Sequence, residues 1–139
     1  MVKFTVPGNP QGKARAKTVR NKYTGKVNSF TPDNTVLYEN LIKESFGIAT
    51  HEQWMNKEPL KVSIVAFYPI PKNTSKKNRA QMISGKLRPT KKPDADNVAK
   101  VVCDALNGIA YYDDTQVVDL TVHKYFGEAP HVTVQIQEV

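Results

Sequence analysis

Pro93-Asp94-Ala95-Asp96-Asn97-Val98-Ala99-Lys100-Val101-Val102-Cys103-Asp104-Ala105-Leu106-Asn107-Gly108 is the stretch that decides how this chain is organised. Val98, Val101, Val102, Ala105 and Leu106 recur at the three- and four-residue spacing that puts side chains on one face of a helix. Asn107-Gly108 is the dipeptide expected where such a helix ends. A helix with one apolar stripe must bury it against another layer, and the flanking sequence supplies strands. Residues 60–68 are rich in β-branched and aromatic side chains and stop at Pro69 and Pro71. Residues 117–126 and 132–139 both alternate, and Gly127-Glu128-Ala129-Pro130 between them predicts a C-terminal β-hairpin.

Upstream, residues 2–6 alternate and are stopped by Pro7-Gly8-Asn9-Pro10, which predicts a first strand. Residues 11–29 are poor in apolar side chains and read as a basic loop or ragged hairpin turning at Tyr23-Thr24-Gly25-Lys26. Thr31-Pro32-Asp33 predicts a helix start, with Thr31 as N-cap and Pro32 at the first helical position. The helix is expected to bury Leu37, Leu41, Ile42 and Phe46 and to stop at Gly47. A polar connection over 51–58, a short basic helix within 73–83 and an extended segment over 90–93 complete the reading. Strand, helix, strand, helix, strand, strand predicts a single α+β domain over residues 1–139. It would consist of a small mixed sheet with two main helices on one side and the C-terminal β-hairpin.

Composition narrows the function. The 139 residues are enough for a modest core. Neither a membrane span nor an export signal is legible, and the single Cys103 excludes an internal disulfide and Cys-based zinc sites. A cytoplasmic protein is the expectation. The formal net charge of +7 is unevenly laid out: residues 1–93 hold 18 Lys/Arg against 5 Asp/Glu, and residues 94–139 hold 2 against 8. Lys13, Arg15, Lys17, Arg20, Lys22 and Lys26 form one acid-free stretch, and the eight cations from Lys72 to Lys92 form another. Such a division predicts a polyanion bound by one part of the molecule while carboxylates elsewhere do something different.

Those carboxylates lie around the helix that opened this reading. Asp94 and Asp96, two apart, point the same way in an extended chain, and Asp113-Asp114 follow the loop that leaves the helix. If the strand from Val117 pairs beside the end of its neighbour, the acids meet at one end of the sheet. Like charges held close favour a hard divalent cation such as Mg²⁺, which can polarise a phosphodiester and acidify a bound water. Lys100, one turn after Asp96, shares its face and would meet charge on a phosphate. On spacing alone, other readings stay open: Asp96 as a helix cap, Asp113-Asp114 as turn chemistry, and Lys100 as the ion-pair partner of Asp96 or Asp104. A non-catalytic junction- or single-strand-binding protein and a small basic RNA-associated factor also remain. His51, His123 and His131 have no metal-binding spacing, and no Gly-rich phosphate loop is present.

The run from Lys92 to Gly108 followed by Tyr112-Asp-Asp-Thr-Gln-Val-Val118 resembles the RusA family of Holliday-junction resolvases. Gly8-Asn-Pro-Gln-Gly-Lys-Ala-Arg15 is similar to that family's basic N-terminal segment, and Phe30-Thr-Pro-Asp-Asn-Thr-Val-Leu-Tyr-Glu39 to its first helix. Ala14 and Ala16 stand where related sequences often carry proline. The resemblance implies that Asp94, Asp96 and Asp114 are metal-binding catalytic carboxylates, that Asp113 is a neighbour in the same motif, and that Lys100 is catalytic. It further implies a homodimer using Mg²⁺ or Mn²⁺ to nick opposing strands of a four-way junction. Phosphate contacts are expected from Lys13, Arg15, Lys17, Lys76, Lys77 and Arg79, and base stacking is open to Tyr23, Phe30 or Trp54.

Overall fold

Leu60, Val62, Ile64, Ala66 and Tyr68 are buried in strict alternation with partly exposed neighbours, and the strand they make, β4 (Leu60–Pro69), is the centre of the molecule. The structure, a computed structural model, describes residues 1–14, 17–30, 32–50 and 57–139, with the backbone alone at 17 and 30. Arg15, Thr31, Trp54 and most of the 51–58 connection lie outside the described residues. The main sheet also contains β1 (Val2–Pro7), β5 (Val117–Gly127) and β6 (His131–Glu138), in the order β1-β6-β4-β5. β5 runs parallel to β4, and the other two pairings are antiparallel. Register carries apolar side chains across the sheet in rows. Val2, Ile136, Val62 and Leu120 form one, and Phe4, Val134, Ile64 and Val122 the next. β2 (Lys17–Arg20) and β3 (Val27–Phe30) form a separate two-stranded hairpin, the ragged hairpin of the sequence reading.

Two helices cover the apolar face, as expected. α3 (Ala95–Leu106) buries Val98, Ala99, Val101, Val102, Ala105 and Leu106. α1 (Asp33–Ala49) packs against α3 and β1, with Phe46 edge-on to Phe4 at 5.8 Å between ring centroids. The shorter α2 (Lys76–Ser84) buries none of its own residues and ends at Gly85, whose φ of +84° only glycine adopts freely. A Cβ at Gly85 would meet Tyr125 at 3.4 Å, so the end of α2 rests on the edge of the sheet. Among the described residues no helix is long and apolar enough to cross a membrane.

Three expectations need correction. The buried stripe of α1 is Thr35, Tyr38, Ile42, Ser45 and Phe46, whereas Leu37 is 68% exposed. The amphipathic tyrosine takes the interior position that a plain hydropathy reading gives to leucine. The helix also continues through Gly47 to Ala49, with Pro32 at the N-cap position rather than inside the first turn. A Cβ at Gly47 would meet no neighbouring atom, so no close approach demands a glycine there, and the buried Phe46 beside it holds the last turn against the intrinsic cost of glycine. Residues 91–93 bend instead of extending, with a cis Lys92–Pro93 peptide. The C-terminal strand pair forms, antiparallel and joined by a short turn, but β4 lies between its arms, so both bond to β4 and not to each other.

The phase of α1 and the centrality of β4 are testable together. Ile64→Ala should cost about 2–5 kcal/mol in urea unfolding, while Leu37→Ala should stay within about 0.5 kcal/mol. Equal losses would mean that the buried face of α1 is misassigned.

Candidate active site

Asp94 occupies the N-cap position of α3, yet its side chain makes no capping hydrogen bond, and Asp96 sits in the first turn. Both carboxylates are exposed at the positive end of the helix dipole. The approach to them is held from below. Tyr68, at the end of β4, is buried and donates its hydroxyl to the Pro93 carbonyl at 2.5 Å. Burial, then the charge of Asp94, push that phenol up to about 12. From the other side comes the N-terminal segment: the Lys13 amide bonds the Asn97 carbonyl at 3.3 Å. A Cβ at Gly12 would lie 2.9 Å from that of Asn97 and 3.0 Å from that of Pro93, so only glycine permits this approach. Gln11, Gly12, Lys13, Asn34, Lys92 and Asp94 border the resulting cavity of about 640 Å³.

Beyond α3 the chain folds back on itself. Gly108, at φ +76°, starts a turn in which Ile109 and Ala110 donate to the Leu106 carbonyl, and buried Tyr111 donates its hydroxyl to the Cys103 carbonyl at 2.6 Å. Asp113 then caps a single 3₁₀ turn (Asp114–Gln116). Its carboxylate accepts from the Thr115 hydroxyl at 2.9 Å and from the Gln116 amide, while the Gln116 side chain accepts from the amides of Tyr112 and Asp113 and donates to the Glu58 carbonyl. Gln116 therefore pins the acidic turn to the start of β4. Asp113 is held below its usual pKa by the Thr115 hydroxyl and then by Asp114. Asp114 is raised, first by desolvation and then by its hydrogen bond to Asp113 and the charges of Asp113 and Asp104.

The acids therefore stand in two groups. Asp94 lies by Tyr68, at the end of β4, but Val117 pairs with Leu60, at its beginning. The expectation that all the carboxylates meet at one end of the sheet fails for this reason. Asp96, Lys100, Asp104 and Asp114 border one groove of about 440 Å³ between α3 and β5, which also exposes Val118 and Leu120. At about 1.5 Å of rise per residue, Asp96 and Asp104 are roughly 12 Å apart along the helix, with Asp114 at the Asp104 end. Carboxylate oxygens are the donors a hard divalent cation prefers. Among the described residues of one protomer, however, no three Asp, Glu, His or Cys side chains are grouped closely enough to hold a metal ion.

The basic residues divide as well. Lys13 donates to Glu39 at 2.6 Å and lies 3.5 Å from Asp104, tying the N-terminal segment to α1 and α3. Burial pulls its pKa down, but these two carboxylates outweigh that and hold it above the usual lysine value. Asp104, expected to pair with Lys100, is taken by Lys13 instead. Arg88 bonds the Lys124 carbonyl and lies 4.1 Å over the Tyr125 ring, so it anchors the loop after α2. Lys76, Lys77 and Arg79 are exposed on α2, and Arg79 lies 3.4 Å from Glu128, itself exposed.

A family model described as endodeoxyribonuclease RusA matches residues 7–137, nearly the whole chain. The chain belongs to the RusA family. An uncharacterized protein of Bacillus subtilis (strain 168), YqaN, is 38% identical over 142 residues, covering 99% of this chain and 96% of that protein. Among the residues that this RusA-family chain builds its acidic loops from, Gly12, Tyr68 and Gln116 are given no role of their own by the sequence reading, although Gly12 and Gln116 lie within its motifs. Gln116 was the most accessible, because a glutamine three residues after an acid is the pattern of a capping box.

Two substitutions probe the local architecture. Gln116→Ala should speed amide exchange of Tyr112 and Asp113 by about tenfold, the effect of losing roughly one hydrogen bond, with Val122 unaffected. Lys13→Ala should lower stability by about 1 kcal/mol, since two acids lose their cation. The sign follows from the raised pKa: this contribution is fully present below the ordinary lysine pKa and is lost as pH rises through the higher folded value. An unchanged melting temperature would remove Lys13 from its structural role.

Proposed function

We propose that this chain is a metal-dependent endodeoxyribonuclease that resolves four-way DNA junctions and related branches by paired, symmetric nicks, acting as a homodimer on cytoplasmic, nucleoid DNA. The observation that carries the reading is the family match, whose span contains Asp94, Asp96, Lys100, Asp113 and Asp114. The catalytic set is Asp94, Asp96, Asp114 and Lys100. Mg²⁺, with Mn²⁺ as substitute, is the cation that an all-carboxylate donor set suits. When bound, it supplies an acidified water and neutralises charge on the phosphate. Asp94 and Asp96 present unshared carboxylate oxygens at the start of α3, Lys100 meets negative charge on the scissile phosphate, and Asp113 with Gln116 orients Asp114.

One protomer keeps Asp114 at the far end of α3 from Asp94 and Asp96, so the homodimer completes the set. A two-fold axis past the middle of α3 reverses its direction and brings Asp114 of the partner subunit towards Asp94 and Asp96. Two features support this arrangement. β5 has no further strand on its outer side among the described residues, Val118 and Leu120 are exposed along it, and Tyr112 is exposed in the loop before it. Two such sites related by a dyad suit symmetric cleavage of opposing strands. Arg15, Lys17, Lys76, Lys77 and Arg79 are kept as phosphate contacts. Lys13, engaged by Glu39 and Asp104, is withdrawn from that set and should leave the salt dependence of DNA binding unchanged on replacement by alanine.

The test uses a synthetic four-way junction with Mg²⁺. Asp96→Asn should abolish nicking while leaving junction binding intact, because it removes metal affinity and no basic charge. Asp114→Asn should do the same. Subunits of the two inactive variants, co-refolded in equal amounts, should regain roughly a quarter of the wild-type nicking, since half of the dimers then carry one intact composite site. No recovery would mean that each chain holds a complete site of its own. A wild-type protein that retards junctions but never nicks them would establish the non-catalytic binder instead.

A further inference from the structure

Residues 18–29, the greater part of the β2–β3 hairpin, are exposed without exception. Among the described residues their strands pair only with each other, over four residue pairs from Lys17–Phe30 to Arg20–Val27. Val19 is left 54% exposed and Val27 61% exposed. A two-stranded ribbon with neither face covered is at best marginally stable in water, so its composition should match whatever it meets. That composition is one-signed: Lys17, Arg20, Lys22 and Lys26 lie within it, and no acid occurs anywhere in residues 1–32. Two such ribbons repel each other, which argues against a second copy as the occupant and in favour of a polyanion.

The tip is ordered rather than slack. Asn21 donates its amide to the Lys26 carbonyl at 2.8 Å, and its side-chain oxygen accepts from the amides of Tyr23 and Thr24. Gly25 closes the turn at φ +70° by donating to the Asn21 carbonyl. This frame holds Tyr23 98% exposed, between Lys22 and Thr24 at the apex. A fully exposed aromatic ring at a hydrogen-bonded turn, with cations beside it and no partner among the described residues, has the chemistry of a base-stacking platform. We propose that the β2–β3 hairpin is a nucleic-acid-binding arm whose cations track the phosphate backbone and whose Tyr23 stacks on a base left unpaired at the branch point. This rests on the reading of branched DNA as substrate and adds a recognition element to it.

The probe is a four-way junction carrying 2-aminopurine at its branch point, titrated in EDTA with full-length wild type, Tyr23→Ala, Tyr23→Phe and the double variant Lys22→Ala/Lys26→Ala. Tyr23→Ala should weaken junction binding roughly tenfold and abolish the change in 2-aminopurine emission, Tyr23→Phe should restore both, and affinity for continuous duplex should barely move. The double lysine variant should lower the slope of log affinity against log salt by about two, for junction and duplex alike. Junction binding by Tyr23→Ala equal to wild type overturns the proposal. So does a sedimentation profile in which Tyr23→Ala is monomeric, which would make the hairpin a protein interface. A wild type that shows Tyr23-dependent binding but cuts nothing under Mg²⁺ leaves the arm standing and removes the nuclease, whereas a wild type that cuts with Tyr23 dispensable removes the arm alone.

Discussion

The parallel pairing of β4 with β5 constrains everything else. A chain that leaves one strand and enters its parallel neighbour must travel back the full length of the strand, and here α3 makes that return. The loop that feeds α3 therefore belongs to the exit end of β4 and the loop that leaves it to the entry end. Asp94 and Asp96 stand where the first loop enters α3, and Asp114 stands in the second. The same helix that supplies most of the core opposite β4 and β5 is thus a spacer between acids.

How much of this the sequence discloses depends on range. The stripe of α3 was legible because its buried residues repeat within one helix, and the alternation of β4 and β6 declared which side chains face inwards. α1 misled because tyrosine reads as polar while its ring fills interior volume, so Tyr38 rather than Leu37 sets the phase. Strand order was out of reach, since alternation in β5 and β6 is equally compatible with bonding to each other or to β4. The candidate site inherited that ambiguity: its acids could be named one by one, but their grouping turned on whether Val117 meets Leu60 or Tyr68. Lys13 shows the same limit in electrostatics. Within its own segment it looks like one more cation for DNA, and its acidic partners lie 26 and 91 residues further on.

Charge is consequently divided into two kinds. Lys13, Arg88 and Lys124 serve the interior, each closing a carboxylate, a carbonyl or an aromatic face from another element. Arg20, Lys22 and Lys26 of the β2–β3 hairpin and Lys76 and Lys77 of α2 stand towards solvent, and the Glu128 partner of Arg79 is itself exposed. A count of basic residues therefore overstates what is available for a polyanion, and burial of the partners is what separates the two sets.

The position of β6 bears on how the molecule comes into being. It lies between β1 and β4, so β1 has no edge to join until the last strand of the sheet has been made. During synthesis the amino-terminal strand must wait for nearly the entire chain to emerge, and the sheet then assembles from contacts that span the polypeptide. Chain topology of this sort makes folding slow for its size and leaves early segments uncovered meanwhile. The many charges and prolines of the first ninety residues keep that waiting chain dispersed.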